Sequence, residues 1–150
     1  MATLAKNRRA TFDYEILEKL EAGIVLSGQE VKSAKTGGAS LHGSYARVAG
    51  GEATLINASI KPYTYASKLE GYDPTRSRRL LLHKAEIFKL EGRIQEKGLT
   101  LIPLEMYTSR GKIKMTIGVG RSKKKTDKRE TIKRREDERQ IARAVRKRQA

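Results

Sequence analysis

The chain has 150 residues, 37% of them hydrophobic, with 33 Lys or Arg against 17 Asp or Glu, for a net charge of +16. It contains no Cys, which excludes disulfides, thiolate nucleophiles and thiolate metal sites. No apolar run approaches the about 18 residues of a membrane span, and the N-terminus lacks the apolar stretch of a signal peptide, so a cytosolic protein is expected. Charge of this size exceeds what solubility needs. Its natural counterpart is a polyphosphate, because each phosphate neutralised by Lys or Arg releases condensed counterions. A membrane surface is the competing polyanion, but the C-terminal stretch offers only Ile132, Ile141 and Val145 as large apolar side chains, too few for an interfacial helix.

In chain order, Met1 to Arg9 is a short basic lead-in. Phe12 to Leu26 alternates weakly, and the β-branched Ile24 and Val25 after Gly23 predict one long, bent strand. Ser27 and Glu30 have capping-box spacing and Gly37-Gly38 stands where a helix stops, predicting a helix over 28–36. Tyr45 to Val48, Gly50-Gly51 and Glu52 to Ile60 predict a β-hairpin, since paired glycines permit the positive φ angles of a two-residue turn. Asp73-Pro74 marks a turn. Thr75 or Ser77 then caps a predicted helix whose buried stripe is Leu80, Leu81, Lys84, Ile87, Phe88 and Leu90, ending at Gly92. Leu99 to Tyr107 and Lys112 to Val119 predict a second hairpin. In its latter strand Ile113, Met115, Ile117 and Val119 face one way, and Lys112, Lys114 and Thr116 the other. Many strands, few short helices and frequent Gly predict a mainly β fold, a small barrel with short flanking helices.

Composition changes abruptly at Arg121. The last thirty residues hold fourteen Lys or Arg against five Asp or Glu, with no Gly, Pro or aromatic, while the first 120 hold all thirteen Gly and all three Pro. Two units are expected: a body over 1–120 and a basic tail over 121–150. Glu130/Arg134, Lys133/Asp137 and Arg134/Glu138 are i,i+4 opposite-charge pairs, so the tail prefers helix. With no apolar face to dock, it is expected to be disordered when free and to order on a polyanion.

Catalysis has little to stand on. His42 and His83 are the only histidines and lie far apart in sequence, and Gly118 and Gly120 lead into a lysine run rather than a phosphate-binding helix. Binding has more. Tyr45 lies near Arg47, Tyr63 near Lys61, and Tyr72 near Arg76 and Arg78, and aromatics beside cations suit unpaired bases. Arg76, Arg78 and Arg79 are candidate phosphate ligands. The residues point to an RNA-binding protein, with a structural ribosomal protein and a small ribonuclease using His42 or His83 as the alternatives.

The runs Glu21-Ala22-Gly23, Gly28-Gln29-Glu30-Val31-Lys32-Ser33, Asp73-Pro74-Thr75-Arg76, Leu80-Leu81-Leu82 and Asp127-Lys128-Arg129 closely resemble the SsrA-binding (small protein B) family, from Asn7 to the end. The resemblance implies an oligonucleotide-binding-type β-barrel and no catalytic role, cofactor or metal. Its implied partners are the tRNA-like domain of transfer-messenger RNA and the ribosome, engaged by a protein monomer in the rescue of ribosomes stalled without a stop codon. Carried over by position, the implied RNA-facing residues are Asn7, Glu21, and Leu81 with His83; the basic residues Arg8, Lys32, Arg76 and Arg78 are expected to contact RNA beside them. The implied ribosome-contacting tail comprises Lys123, Lys124, Lys125, Asp127, Lys128 and Arg129, entering the messenger channel and decoding region of the small subunit. Two positions depart from the family pattern: Ser122 stands where Gly is usual, and Thr126 where an aromatic or His is usual.

Overall fold

The structure is a computed structural model that describes residues 2–63, 71–123 and 125–149. Its elements are β1 (Ala2–Lys6), α1 (Ala10–Asp13), β2 (Tyr14–Ile24), α2 (Gly28–Lys35), β3 (Ala39–Ser40), β4 (Tyr45–Ala49), β5 (Glu52–Ile56), β6 (Ser59–Ile60), β7 (Arg78–Leu81), α3 (Lys84–Lys97), β8 (Thr100–Ser109), β9 (Lys112–Ser122) and α4 (Lys125–Gln149). The protein is mainly β, with short helices. Antiparallel pairing runs β8-β4-β5-β7-β2-β9 and returns from β9 to β8, while β1 joins the edge of β8 that β4 leaves uncovered. Two short strands, β3 and β6, pair apart from this circuit. Among the described residues, no helix is long and apolar enough to cross a membrane.

The predicted alternation of β9 is observed. Ile113, Met115, Ile117 and Val119 are buried, and meet Ala22, Ala53, Leu55, Leu80, Leu101 and Met106 inside the circuit. Each large side chain buried this way contributes about 1.5–3 kcal/mol. Bulges between Ile16 and Glu18 in β2, and between Pro103 and Glu105 in β8, swing Ile16 and Leu104 over the outer face of β9. Gly118 makes room for them: a Cβ there would lie 3.0 Å from Leu104 Cδ1 and 3.2 Å from Ile16 Cγ2.

The helix at 28–36 and both hairpin turns are found where the sequence places them, with Gly50 and Gly51 both at positive φ. Among the boundaries that differ, three bear on the site. The long strand expected from Phe12 begins at Tyr14, because Ala10–Asp13 forms one helical turn with the Arg9 guanidinium 5.0 Å from the Phe12 ring centre. The strand expected to reach Ile60 stops at Ile56, where Asn57 adopts a φ of 62°, and Ser59–Ile60 turns away to pair with β3. The third difference is larger. Residues 78–81, expected in a helix, are strand β7, with Arg78 and Leu80 buried and Arg79 and Leu81 exposed. The helix begins only at Lys84, passes Gly92 and ends at Gly98 in the left-handed region. Its buried stripe is Ile87 and Leu90, with Ile94 packed beside them, and Phe88 is 81% exposed rather than part of it.

β7 is a strand because of Glu30. The Glu30 side chain closes the capping box by accepting from Ser27 N–H at 2.9 Å, and is itself fully buried. Arg78 Nε donates to Glu30 Oε2 at 2.7 Å and Arg76 Nε at 3.2 Å, and Arg76 Nη2 reaches the other oxygen. The remaining Arg78 donors meet the carbonyls of Ala58 at 2.7 Å and Pro74 at 2.9 Å. Tyr72 completes the cluster by donating to Ile60 O at 2.7 Å. Burial by itself would raise the Glu30 carboxyl, but the hydrogen bonds from Arg76, Ser27 and Arg78 overcome it and hold the group at about 2.

Glu30→Gln leaves the Arg78 charge buried without its partner, and is expected to cost about 3–5 kcal/mol in chemical denaturation. The combined Glu30→Leu, Arg78→Met variant should recover most of that loss; no recovery would mean that the pair is not coupled. The folded carboxyl titrates below its ordinary value of 4.5, so Glu30 stabilises the fold fully above that pH. That contribution drains away as pH falls from 4.5 towards 2, and the Gln variant should lack this segment of the acid profile.

Candidate nucleic-acid interface

The outer face of the β1-β8-β9-β2-β7 ribbon carries two cross-strand rows. One runs Lys6, Glu105, Thr116, Glu21 and the next Thr3, Tyr107, Lys114, Gly23, Leu81. Gly23 is required in the second row. A Cβ there would lie 3.2 Å from Leu81 Cβ, so its absence lets the Leu81 side chain lie across β2. Leu81 remains 51% exposed. Beyond it the chain turns at His83, whose backbone N–H donates to Glu86 Oε1 at 3.1 Å and so starts α3.

Together these elements form a groove of about 620 Å³ lined by Leu20, Glu21, Leu81, His83, Glu86 and Lys114, among others. Glu21, Leu81 and His83, which the resemblance implied as RNA-facing, are therefore neighbours, although sixty residues separate the first from the others. His83 sits at the helix N-cap and Leu81 on a strand, not in the single Leu-rich helix expected from the sequence.

Glu21 is exposed, yet it is held. The Tyr107 side chain crosses β9 and donates its hydroxyl proton to Glu21 Oε2. Tyr107 is buried, and burial, with the hydrogen bond to Glu21 and that carboxylate's charge, pushes its hydroxyl up to about 12. It thus stays a proton donor across the physiological range. One Glu21 oxygen is occupied by the protein, and the carboxylate can still accept from amino groups on a base edge.

Asn7 and Arg8 lie on the same sheet face, in a second hollow with Lys6, Lys19, Leu104, Thr116 and Lys123. Thr116 is the cross-strand partner of Glu21, which makes the hollows adjacent. Asn7 is fixed there by its amide donating to Pro103 O at 2.9 Å and its backbone N–H to Leu104 O at 2.8 Å. The other expected residues lie elsewhere. Lys32 is exposed on α2, its Nζ 5.9 Å from the Tyr63 ring centre. Arg76 is half exposed with two donors committed to Glu30, while Arg78 is completely buried. Arg78 is thus not available to a phosphate as expected, because it is fully buried and its donors are committed to Glu30 and to the carbonyls of Ala58 and Pro74.

Lys123 N–H donates to Asp13 O at 2.9 Å, tying the start of the tail to α1. Lys124 lies outside the described residues. Lys125, Thr126, Asp127, Lys128 and Arg129 open α4, with Arg129 exposed. Sequence reasoning missed Lys114 and Tyr107. The outward phase of Lys114 on an alternating strand was a usable signal, whereas the reach of Tyr107 to Glu21 depends on the β8–β9–β2 register. Among the described residues, no group of three or more His, Cys, Asp or Glu is placed to hold a metal ion.

A carboxylate, an exposed leucine and a histidine brought into one groove beside Lys114 make this sheet face the candidate nucleic-acid surface. Residues 4–147 match the family model described as SmpB protein, and the chain belongs to that family. It is similar to the SsrA-binding protein of Synechococcus elongatus, 50% identical over 144 residues that cover 96% of this chain and 94% of the relative. It is similar as well to the SsrA-binding protein of Acaryochloris marina, 48% identical over the same length with the same shares of each chain. Among solved structures it resembles a chain from "tmRNA-SmpB: a journey to the center of the bacterial ribosome", with a TM-score of 0.64 and 50% identity, covering 80% of this chain and 84% of that one.

The Tyr107–Glu21 contact has a direct signature. The raised hydroxyl contributes stability that is complete below pH 10 and lost as pH rises through 10 towards 12. Glu21→Gln removes the carboxylate's share and should lower the Tyr107 midpoint in an ultraviolet titration read against Tyr107→Phe. An unmoved midpoint would separate the two residues.

Proposed function

We propose that this chain is an RNA-binding adaptor that holds the tRNA-like domain of transfer-messenger RNA and brings it to stalled bacterial ribosomes for trans-translation. The observation that carries this reading is the convergence of Glu21, Leu81 and His83 on one groove, beside Lys114, in a chain of the SmpB family. On this reading the strand circuit is an oligonucleotide-binding-type β-barrel. Its outer face, with Asn7, Arg8, Glu21, Lys114, Leu81 and His83, meets folded RNA. Lysines there position phosphates, while Glu21 and His83 meet base edges and riboses. No step of this activity asks for a catalyst, and the work is done where ribosomes are, in the cytosol.

The tail has the complementary task. α4 is exposed from Ile132 to Val145, so packing against the body contributes nothing to its order along that length. We read it as a helix that frays in the free protein and orders in the vacant messenger channel, with Lys123, Lys124, Lys125, Asp127, Lys128 and Arg129 at the decoding region. We set the cut between the two units after Lys123, at the end of β9. Ser122 still pairs with Tyr14 and Lys123 still bonds Asp13, so a cut at Gly120 would strip the end of β9.

The test is a chain ending at Lys123. It should keep its fold and bind the tRNA-like domain, losing only the tail's electrostatic share of affinity and some of the slope of log affinity against log salt. Peptide tagging on ribosomes stalled without a stop codon should collapse. Normal tagging by the shortened chain would remove the role given to the tail.

A finer test addresses the groove. Tyr107→Phe deletes only the hydroxyl that holds Glu21, and should weaken RNA binding about 10-fold, the effect of one hydrogen bond. Because no phosphate contact is lost, the salt slope should not change. In the Glu21→Gln background the same substitution should cost much less, and equal costs in both backgrounds would mean that Tyr107 acts independently of Glu21.

A further inference from the structure

β2 and β9 part company at one end of the groove. Their pairing ends at Gly23 opposite Lys114, after which Ile24 pairs with Leu80 of β7 and the chain leads through Leu26 into α2. β9 continues the other way, through Ile113 and Lys112 to the hairpin tip at Gly111. The gap between them is a hollow of about 340 Å³, lined by Ile24, Leu26, Val31, Leu81 and Ile113 with Lys112 and Lys114 also on its walls. Its aliphatic walls are only partly covered: Ile24, Leu26 and Val31 are each half-buried. Among the described residues, no acidic side chain lines it.

Leu81, Gly23 and Lys114 line both this hollow and the groove that holds Glu21 and His83. Leu81 is thus a ridge between a polar compartment and an apolar one. A double helix presents no surface that fits an apolar hollow of this size, because its bases are stacked and its edges are polar. An unpaired base swung out of its stack does fit, with a flat apolar face and phosphates on either side. We propose that this hollow receives one unpaired nucleobase of the bound RNA, packed against Leu81, Leu26 and Val31, with Lys112 and Lys114 neutralising its flanking phosphates. The proposal rests on the RNA-binding reading of the adjoining groove, and extends it to a second compartment. Because the aliphatic walls offer no hydrogen bonds to a base edge, the hollow selects for an unstacked base and discriminates little among bases.

The occupant is fixed by two features. The hollow adjoins the RNA groove along Gly23, Leu81 and Lys114, and among the described residues its only charged walls are two lysines. A protein segment with acidic flanks shares the second feature but not the first, and it enters as an outcome of the test.

The experiment uses the full chain and a tRNA-like domain RNA carrying 2-aminopurine at each unpaired position in turn. With the wild-type protein, one position should change its fluorescence on binding. Val31→Phe fills the hollow without touching Glu21, His83 or either lysine. It should abolish that change and weaken binding at least 10-fold, with the salt slope unaltered. Leu26→Phe serves as a second filling variant should Val31→Phe lower the unfolding temperature. Folded variants that bind RNA as tightly as wild type would overturn the hollow alone and turn the search towards an acidic peptide. Failure of the wild-type chain to bind the RNA at all would overturn the hollow together with the functional reading beneath it.

Discussion

One buried carboxylate, Glu30, receives hydrogen bonds from the N-terminus of its own helix and from two arginines of a segment more than forty residues away. Taking this charge out of water is costly, and the net contribution of such a cluster to stability is small compared with an apolar packing of the same volume. What it supplies is register. With Arg78 pointing inwards at Glu30, strand alternation places Leu80 inwards and Arg79 and Leu81 outwards. The strand reads Arg-Arg-Leu-Leu, so a slip by one residue would offer Arg79 and Leu81 in the places of Arg78 and Leu80; the observed phase is the one in which Arg78 also donates to the carbonyls of Ala58 and Pro74 while Arg76 reaches Glu30 from the preceding turn. The position of Leu81 over Gly23, and of His83 at the head of α3, follows from a contact on the opposite side of β7. Site and core are therefore two faces of one four-residue strand.

Close backbone approach is the second constraint. The β2–β9 pair tolerates Gly at points where side chains from neighbouring strands need the space. At Gly23 the space is taken by Leu81, and at Gly118 by Leu104 and Ile16. At Gly120 it is taken by backbone, since a Cβ would lie 2.3 Å from Glu15 O. Each glycine gives up side-chain packing of its own, and the gain lies on the outer face, where Leu81 becomes a ridge and Ile16 with Leu104 line the hollow beside Asn7. A surface meant only to be solvated would have no use for these approaches.

Much of this was legible from the residues. The capping box at Ser27 and Glu30, the Gly50-Gly51 turn and the alternation of β9 were readable because each depends on chemistry within a few residues. The strand at Arg78–Leu81 was misread as helix, because its leucines also continue at helical spacing into Ile87 and Leu90. The inward arginine that decides the matter is satisfied by a partner forty-eight residues earlier, which no local pattern reveals. The same distance effect explains the candidate site. Arg78 read as a phosphate ligand because a free arginine beside a turn is one, and only the Glu30 cluster removes it from the surface. Tyr107 was invisible for the opposite reason, since its role arises from a register across three strands. Family resemblance selected Glu21, Leu81 and His83 individually, and only the fold makes them neighbours.

The distribution of charge supports a division of labour within the proposed function. The tail carries a net +9 in thirty residues, while the body carries +7 in 120. Unspecific attraction to phosphates scales with the number of cations and needs no geometry. A carboxylate in the binding groove works against that attraction, so Glu21 makes sense only where position matters more than charge. Tyr107 is the physical sign of this: a buried hydroxyl, kept protonated, that holds an exposed carboxylate in one orientation. An acid repels a phosphate and accepts from a base edge, so on the proposed function a rigid acid beside Lys114 would reject a misplaced backbone while admitting the right base. On the proposed function, identity would be read where geometry is best determined, and occupancy sensed where charge is highest and the helix least supported.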